Sequence, residues 1–303
     1  MGYYQLSEII IYLISSLFWG ICVNLPFLFL IMWKNYLTIP RGVTIGAITA
    51  ILCFIISPIL WICLLCFFLS SSFLSKWKQS EKHEVNLEFA KSSQRDSVQV
   101  ISNSFSALFF GILYLIFENF PRIISGEEIS LGIQSHFLFA AFTTIATHTA
   151  DTWMTEIGII YGRNPRLLIN LKKKVNPGTS GGVTIEGTIA GMIGAAIISF
   201  VYVLSSLFTT SISLPKILLL SILLCISGII GGGIDSLEGA TIQRIYYCEQ
   251  CKKETETNPH KCGNIPYFLR GYSFVTNDFV NLSSAFLSGF IAIVCYSFVE
   301  IIF

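Results

Sequence analysis

Apolar residues run almost unbroken over stretches near 9–33, 43–57, 58–75, 98–118, 133–161, 183–208, 216–235 and 278–303. A helix crosses the hydrocarbon core of a bilayer with roughly 18 to 20 such residues, and most of these stretches reach that length. Strands of a transmembrane β-barrel alternate apolar and polar positions over about ten residues, a pattern that unbroken runs exclude. Composition agrees, with 53% of residues hydrophobic and 12% charged, where soluble domains carry roughly 25% charged. The expected fold is all-α, a polytopic membrane helix bundle of about eight spans with seven as the alternative. The run from Val43 to Ser75 would measure about 48 Å as one straight helix, well beyond the membrane core, and Pro58 is the natural place to break it. Residues 1–303 are read as one integral membrane domain with a cysteine-bearing loop at 244–270.

Lysine and arginine gather in three segments. The first holds Lys76, Lys78, Lys82, Lys91 and Arg95; the second Arg163, Arg166 and Lys172 to Lys174; the third Arg244, Lys252, Lys253, Lys261 and Arg270. The positive-inside rule places all three on the cytoplasmic side. Between them the connectors hold only Arg122 and Lys216, which alternates correctly with one span per crossing and puts both termini outside. A net charge of +1 gives no basic footprint, so no nucleic-acid partner is expected. Residues 1–8 lack a basic n-region, and no removable leader is expected there.

Almost every polar residue within a span then falls at its cytoplasmic end. Arg95, Gln99 and Asn103 recur at i, i+4 and i+8 and share one helical face, as substrate contacts or as an interfacial anchor. The segment from Thr147 to Glu156 carries His148, Asp151 and Glu156 inside an apolar helix. Charge at membrane depth costs roughly 2.5 to 3.5 kcal/mol per residue and marks functional sites by default. Asp151 and Glu156 are therefore candidate catalytic groups, pairing with cations of another helix being the alternative.

The turn of Gly178, Thr179, Ser180, Gly181 and Gly182 runs straight into the next span, an outline that suits phosphate at a helix N-terminus. Neighbouring Lys174 is a candidate clamp. Asp235 and Glu238, three residues apart, join Asp151 as candidate oxygen ligands for Mg²⁺; Asp235 is also a catalytic candidate. At the start of the last span Asn277, Asp278 and Asn281 are candidate binding residues, with a helix cap by Thr276 or Asn277 as the alternative.

Cys248 and Cys251 form Cys-x-x-Cys, and His260 with Cys262 completes four potential ligands for a structural Zn²⁺. A reduced cytosolic thiol cluster is the alternative.

These motifs resemble, in order and over residues 60–300, the integral-membrane family of transmembrane protein 19, which includes the phytyl-phosphate kinases. The resemblance rests on Phe67 to Ser72 with Lys76-Trp77-Lys78, on Gln94-Arg95 with Val98-Gln99-Val100 and Asn103, and on Asp151-Thr152-Trp153 with Glu156-Ile157-Gly158. It continues through Pro177-Gly178-Thr179 with Gly181 to Thr184, Asp235-Ser236 with Gly239-Ala240, and Asn277-Asp278 with Val280-Asn281. The chain departs from the usual pattern at Thr155, at Ser180 and in the cysteine loop. The resemblance implies phosphoryl transfer from a nucleoside triphosphate, CTP among the candidates, to an isoprenyl, phytyl-like lipid phosphate at the cytoplasmic leaflet. The residues suit such a reaction, which asks mainly for positioning and charge neutralisation with Mg²⁺. A multi-span transporter, or a scaffold docking a partner through the cysteine loop, are the competing readings.

Overall fold

A computed structural model describes residues 2–79, 81–82, 94–125, 133–209 and 212–303. Its helices are α1 (Gly2–Trp33), α2 (Arg41–Ile56), α3 (Pro58–Lys76), α4 (Ser97–Ser102), α5 (Phe105–Ser125), α6 (Ile133–Tyr161), α7 (Ile185–Thr209), α8 (Leu214–Thr241) and α9 (Asn277–Ile302). The protein is an all-α, multi-pass membrane bundle. The long run after Val43 does break at Pro58: Ser57 is extended at φ −163° and ψ 126°, and Pro58 opens α3 where its missing N–H costs nothing.

Among the described residues, five helices are long and apolar enough to cross a membrane on their own, namely α1, α3, α7, α8 and α9. Helix α2, with 16 residues, spans about 24 Å, and the described apolar part of α5, Phe105–Phe117, is shorter still. Lipid-facing side chains such as Phe29 on α1, Phe200 and Phe208 on α7 and Phe298 on α9 stay exposed.

Helix α6 is the exception that organises the rest. More polar than those five, it lies at the centre, packed against α3, α5, α7, α8 and α9. Every residue from Phe139 to Ala150 is buried. Four of its hydroxyls are satisfied by the helix itself: Thr143, Thr144, Thr147 and Thr149 donate to the carbonyls of Phe139, Ala141, Thr143 and Ile145. These four threonines can therefore sit in a dry interior with their hydroxyl protons bonded.

Small residues let neighbouring backbones approach α6, as they do wherever packing rather than water exclusion drives association in lipid. A methyl group on Gly231 of α8 would meet Thr147 Oγ1 at 2.4 Å, and one on Gly187 of α7 would meet the Met154 carbonyl at 2.6 Å.

Two of the expected cytoplasmic loops fold as small antiparallel sheets. Strands β1 (Arg166–Leu167), β2 (Asn170–Lys174) and β3 (Gly182–Val183) order as β2-β1-β3, while β4 (Ile245–Cys248), β5 (Lys253–Thr255) and β6 (Tyr267–Arg270) order as β5-β4-β6. Strands of two to five residues leave no alternation to read in the sequence. The two sheets meet: Arg270 of β6 donates to the Ser180 carbonyl at 3.3 Å, beside β3.

Candidate functional site: an acidic cleft at the end of the bundle

The Gly231–Thr147 contact decides where two carboxylates lie. Asp235 is one turn beyond Gly231 on α8, and Asp151 is one turn beyond Thr147 on α6, so a close helix crossing places them on facing turns. Both line a cleft of about 100 Å³ together with the Gly178–Gly182 turn, Thr184, Gln243, Glu256 and Asn277. Asp235 accepts the Ser284 hydroxyl at 3.2 Å.

The glycine turn is built to touch α8. Gly181 has φ +78°, and a methyl group there would sit 2.4 Å from Ala240 Cβ; a side chain is excluded by conformation and by space alike. Within the turn, Thr179 N–H donates to Asn176 and Gly182 N–H to Thr179. Helix α7 begins directly after it, with Thr184 Oγ1 accepting the Gly187 N–H at 3.0 Å as its cap.

The cysteine-bearing segment closes the cleft from the other side. Glu256 Oε1 accepts Ser180 Oγ at 3.0 Å and Gln243 Nε2 at 2.7 Å. Its second carboxylate oxygen is buried without a hydrogen-bond partner. Arg270 donates to the carbonyls of Gly239 and Ala240 at 2.9 and 2.8 Å, locking the same segment onto the end of α8. Sequence reading had no signal for Glu256 or Gln243, which carry no periodicity and lie far along the chain from Asp151.

A second cavity, about 530 Å³, shares the Pro177-Gly178-Thr179 wall with the cleft. Lys174, Lys252, Lys253, Glu254 and Tyr247 line it. Lys174 thus sits in a basic chamber adjoining the acidic one, not in the cleft itself.

Other candidates are distributed elsewhere. Glu156 does not line the cleft: it pairs with Lys82 at 2.5 Å and accepts from Ser75. Five residues along a helix turn a side chain to another face, so Glu156 points to Lys82 while Asp151 points into the cleft. Asp235 and Glu238 do both face α9, but Glu238 takes the Ser283 hydroxyl and lies outside the cleft lining, so Glu256 replaces it as the third carboxylate there. Asn281 donates to Asn103 at 3.1 Å, and Ser102 to Asp278 at 3.5 Å, joining α4 and its C-terminal end to α9. Asn277 alone of its trio reaches the cleft; Thr276 caps α9 through the Phe279 N–H.

Arg95 and Asn103 line a third, apolar cavity of about 50 Å³ with Phe27, Ile31, Leu37, Leu64, Phe67 and Phe68. Gln99 is buried nearby, its N–H donating to the Asp96 cap. The Arg95 guanidinium stacks over Phe67 at 5.0 Å. Burial pushes it down to about 10, while Glu156 and Asp151 pull it up, so it stays cationic at neutral pH, within electrostatic reach of the cleft.

Cys248, Cys251, His260 and Cys262 also converge, with one ligand atom from each lying within 4.8 Å of all the others. A hydrogen bond from His260 holds the Cys262 thiol below its usual range, at about 6, and Cys251, hydrogen-bonded to that thiol, is pushed up to about 11.

Residues 22–289 match the family described as integral membrane protein DUF92. The chain belongs to this family. Among DUF92 relatives, Protein PGR of Arabidopsis thaliana is 32% identical over 237 residues, covering 75% of this chain and 78% of that protein. An uncharacterized membrane protein of Methanocaldococcus jannaschii is 30% identical over 168 residues, 53% of this chain and 58% of its own length. These matches bear out the family expected from the motifs. No solved structure matches the chain.

Proposed function

We propose that this DUF92 protein transfers a phosphoryl group from a nucleoside triphosphate to an isoprenyl lipid monophosphate at the cytoplasmic leaflet. The observation that carries this reading is the shared wall: one glycine turn separates a cleft lined by Asp151, Asp235 and Glu256 from a chamber lined by three lysines. Polyphosphate needs cations along its length and a divalent ion at the transferring group. The basic chamber supports the first and the acidic cleft the second.

The donor set of the cleft fits Mg²⁺, a hard ion that takes oxygen ligands: Asp151, Asp235 and Glu256 would hold it, and the unpartnered Glu256 oxygen gives that carboxylate a reason to face inward. Bound there, it would neutralise charge on the phosphate oxygens. In the transfer itself an oxygen of the lipid phosphate attacks the γ-phosphorus, the bond to the β–γ bridging oxygen breaks, and nucleoside diphosphate leaves. The second pKa of a phosphate monoester is about 6, so the attacking oxygen is already ionised and no strong general base is required. Arg95, which lines the apolar cavity between α1, α2 and α3, would hold the lipid phosphate, with the lipid chain entering between those helices.

Purified protein in detergent, given CTP or ATP with Mg²⁺ and phytyl or geranylgeranyl phosphate, is expected to form the lipid diphosphate. Asp151→Asn is expected to lower turnover at least about a hundredfold, as loss of a charge-stabilising group does. Undiminished product formation in that variant would show the site to be elsewhere.

A further inference from the structure

The segment 244–270 has almost no apolar core of its own. Ile245 is buried, but Ile265 and, on the return strand, Tyr267, Phe268 and Leu269 are exposed. Strands this short do not hold a hairpin in one geometry without a staple. At the point where a core would be expected stand the buried Cys248 and His260 with Cys251 and Cys262.

We propose that these four side chains bind one zinc ion, and that the ion braces the segment carrying Lys252, Lys253 and Glu256 into the two chambers. The distances support a tetrahedral site: Cys248 Sγ to Cys262 Sγ is 3.6 Å, Cys251 Sγ to His260 Nδ1 is 3.7 Å, and His260 Nδ1 to Cys262 Sγ is 3.0 Å. Zinc–sulfur bonds of about 2.3 Å place tetrahedral sulfurs about 3.8 Å apart. A disulfide would need about 2.05 Å, and one ligand atom from each group, the imidazole included, lies within 4.8 Å of the others. Two thiolates precede β5 and the other two ligands follow it, so Lys252 to Glu256 are tethered at both ends. Glu256 in turn holds Ser180 and Gln243. Metal binding stands on this geometry alone; its effect on turnover rests on the phosphotransfer reading.

The full-length protein, purified under reducing conditions without chelator, is expected to contain one zinc per chain by mass spectrometry of the metal. Cys248→Ser with Cys251→Ser should lose it, Cys225→Ser should keep it, and Cys251→His should retain it. Should the double variant fail to fold, wild-type protein stripped and reloaded with Co²⁺ gives the test instead, by the visible absorption of a tetrahedral cobalt thiolate site. Absence of zinc together with failure of stripped protein to take up Zn²⁺ or Co²⁺, or a Cys248–Cys262 disulfide found by peptide mapping, would overturn the site. For the bracing role, stripped protein is expected to be cut by protease between residues 249 and 262 about tenfold faster, since local opening sets the rate; unchanged cutting would overturn it. Phosphotransfer, measured with Mg²⁺ restored, should fall on stripping. Zinc content and protection without turnover in any form would leave the metal site standing and sink the phosphotransfer reading.

Discussion

Asp151 and Glu156 lie five positions apart on α6, so their side chains leave the helix about 140° apart. One faces the cleft and the other faces Lys82, whose ammonium is almost fully buried. Breaking a buried pair by removing one partner costs about 3–5 kcal/mol; with Glu156 18% exposed, Lys82→Ala is expected near the lower end, about 3 kcal/mol. Thermal unfolding in detergent checks it, and Lys82→Met with Glu156→Leu should recover most of the loss. Glu156→Gln should cost stability while its folded fraction keeps turning over, in contrast to Asp151→Asn. At Gly181 the expected penalty has two sources. Left-handed backbone costs a residue with a side chain about 1–3 kcal/mol, and Ala240 leaves no room for a methyl group. Gly181→Ala should therefore lower both the unfolding temperature and turnover, whereas Gly263→Ala, equally left-handed at φ +91° but in open space, should show the smaller backbone cost alone.

Helix crossings turn these residues into a site. The spacing between Asp151 and Asp235 is set one turn away, where Gly231 meets Thr147 and Thr147 donates to Ser288 of α9 at 2.7 Å. Gly231→Val should push α8 from α6 and reduce turnover more than stability, a separation visible by comparing product formation with the unfolding midpoint. The helices themselves were legible because their causes are local: apolar runs long enough to span, Pro58 at a break, Thr276 as a cap. The sheets were not, since β1 and β3 hold two residues each. Nor were the partners of the charges. Lys82 and Glu156 are 74 residues apart, and Ser180 and Glu256 are 76 apart; nothing in the composition of either segment names the other, and the pairing exists only once the crossings are made. Asp151, Asp235 and the glycine turn could be nominated because each is costly or unusual where it stands.

On the scale of the whole molecule, the described parts of all three basic segments gather at one end: Lys82 beside α6, Lys174 in the chamber wall, and Lys252, Lys253 and Arg270 across from it. Positive charge is retained on the cytoplasmic side. Reporter cysteines at Lys172→Cys and Lys261→Cys should react with a membrane-impermeant maleimide from that side, and Lys216→Cys from the other, scored by mass spectrometry of the labelled peptides. Labelling of Lys172→Cys and Lys261→Cys from opposite sides would separate the two sheets and dissolve the cleft. The central position of α6 also bears on how the protein is made. Its neighbours α3, α7, α8 and α9 can each be held by lipid alone, but α6, rich in threonine and carrying two acids, gains little from the bilayer until they surround it. A chain truncated after Tyr161 is therefore expected to be degraded in cells although every residue of α6 is present, and a pulse-chase of the truncated against the full-length chain checks it.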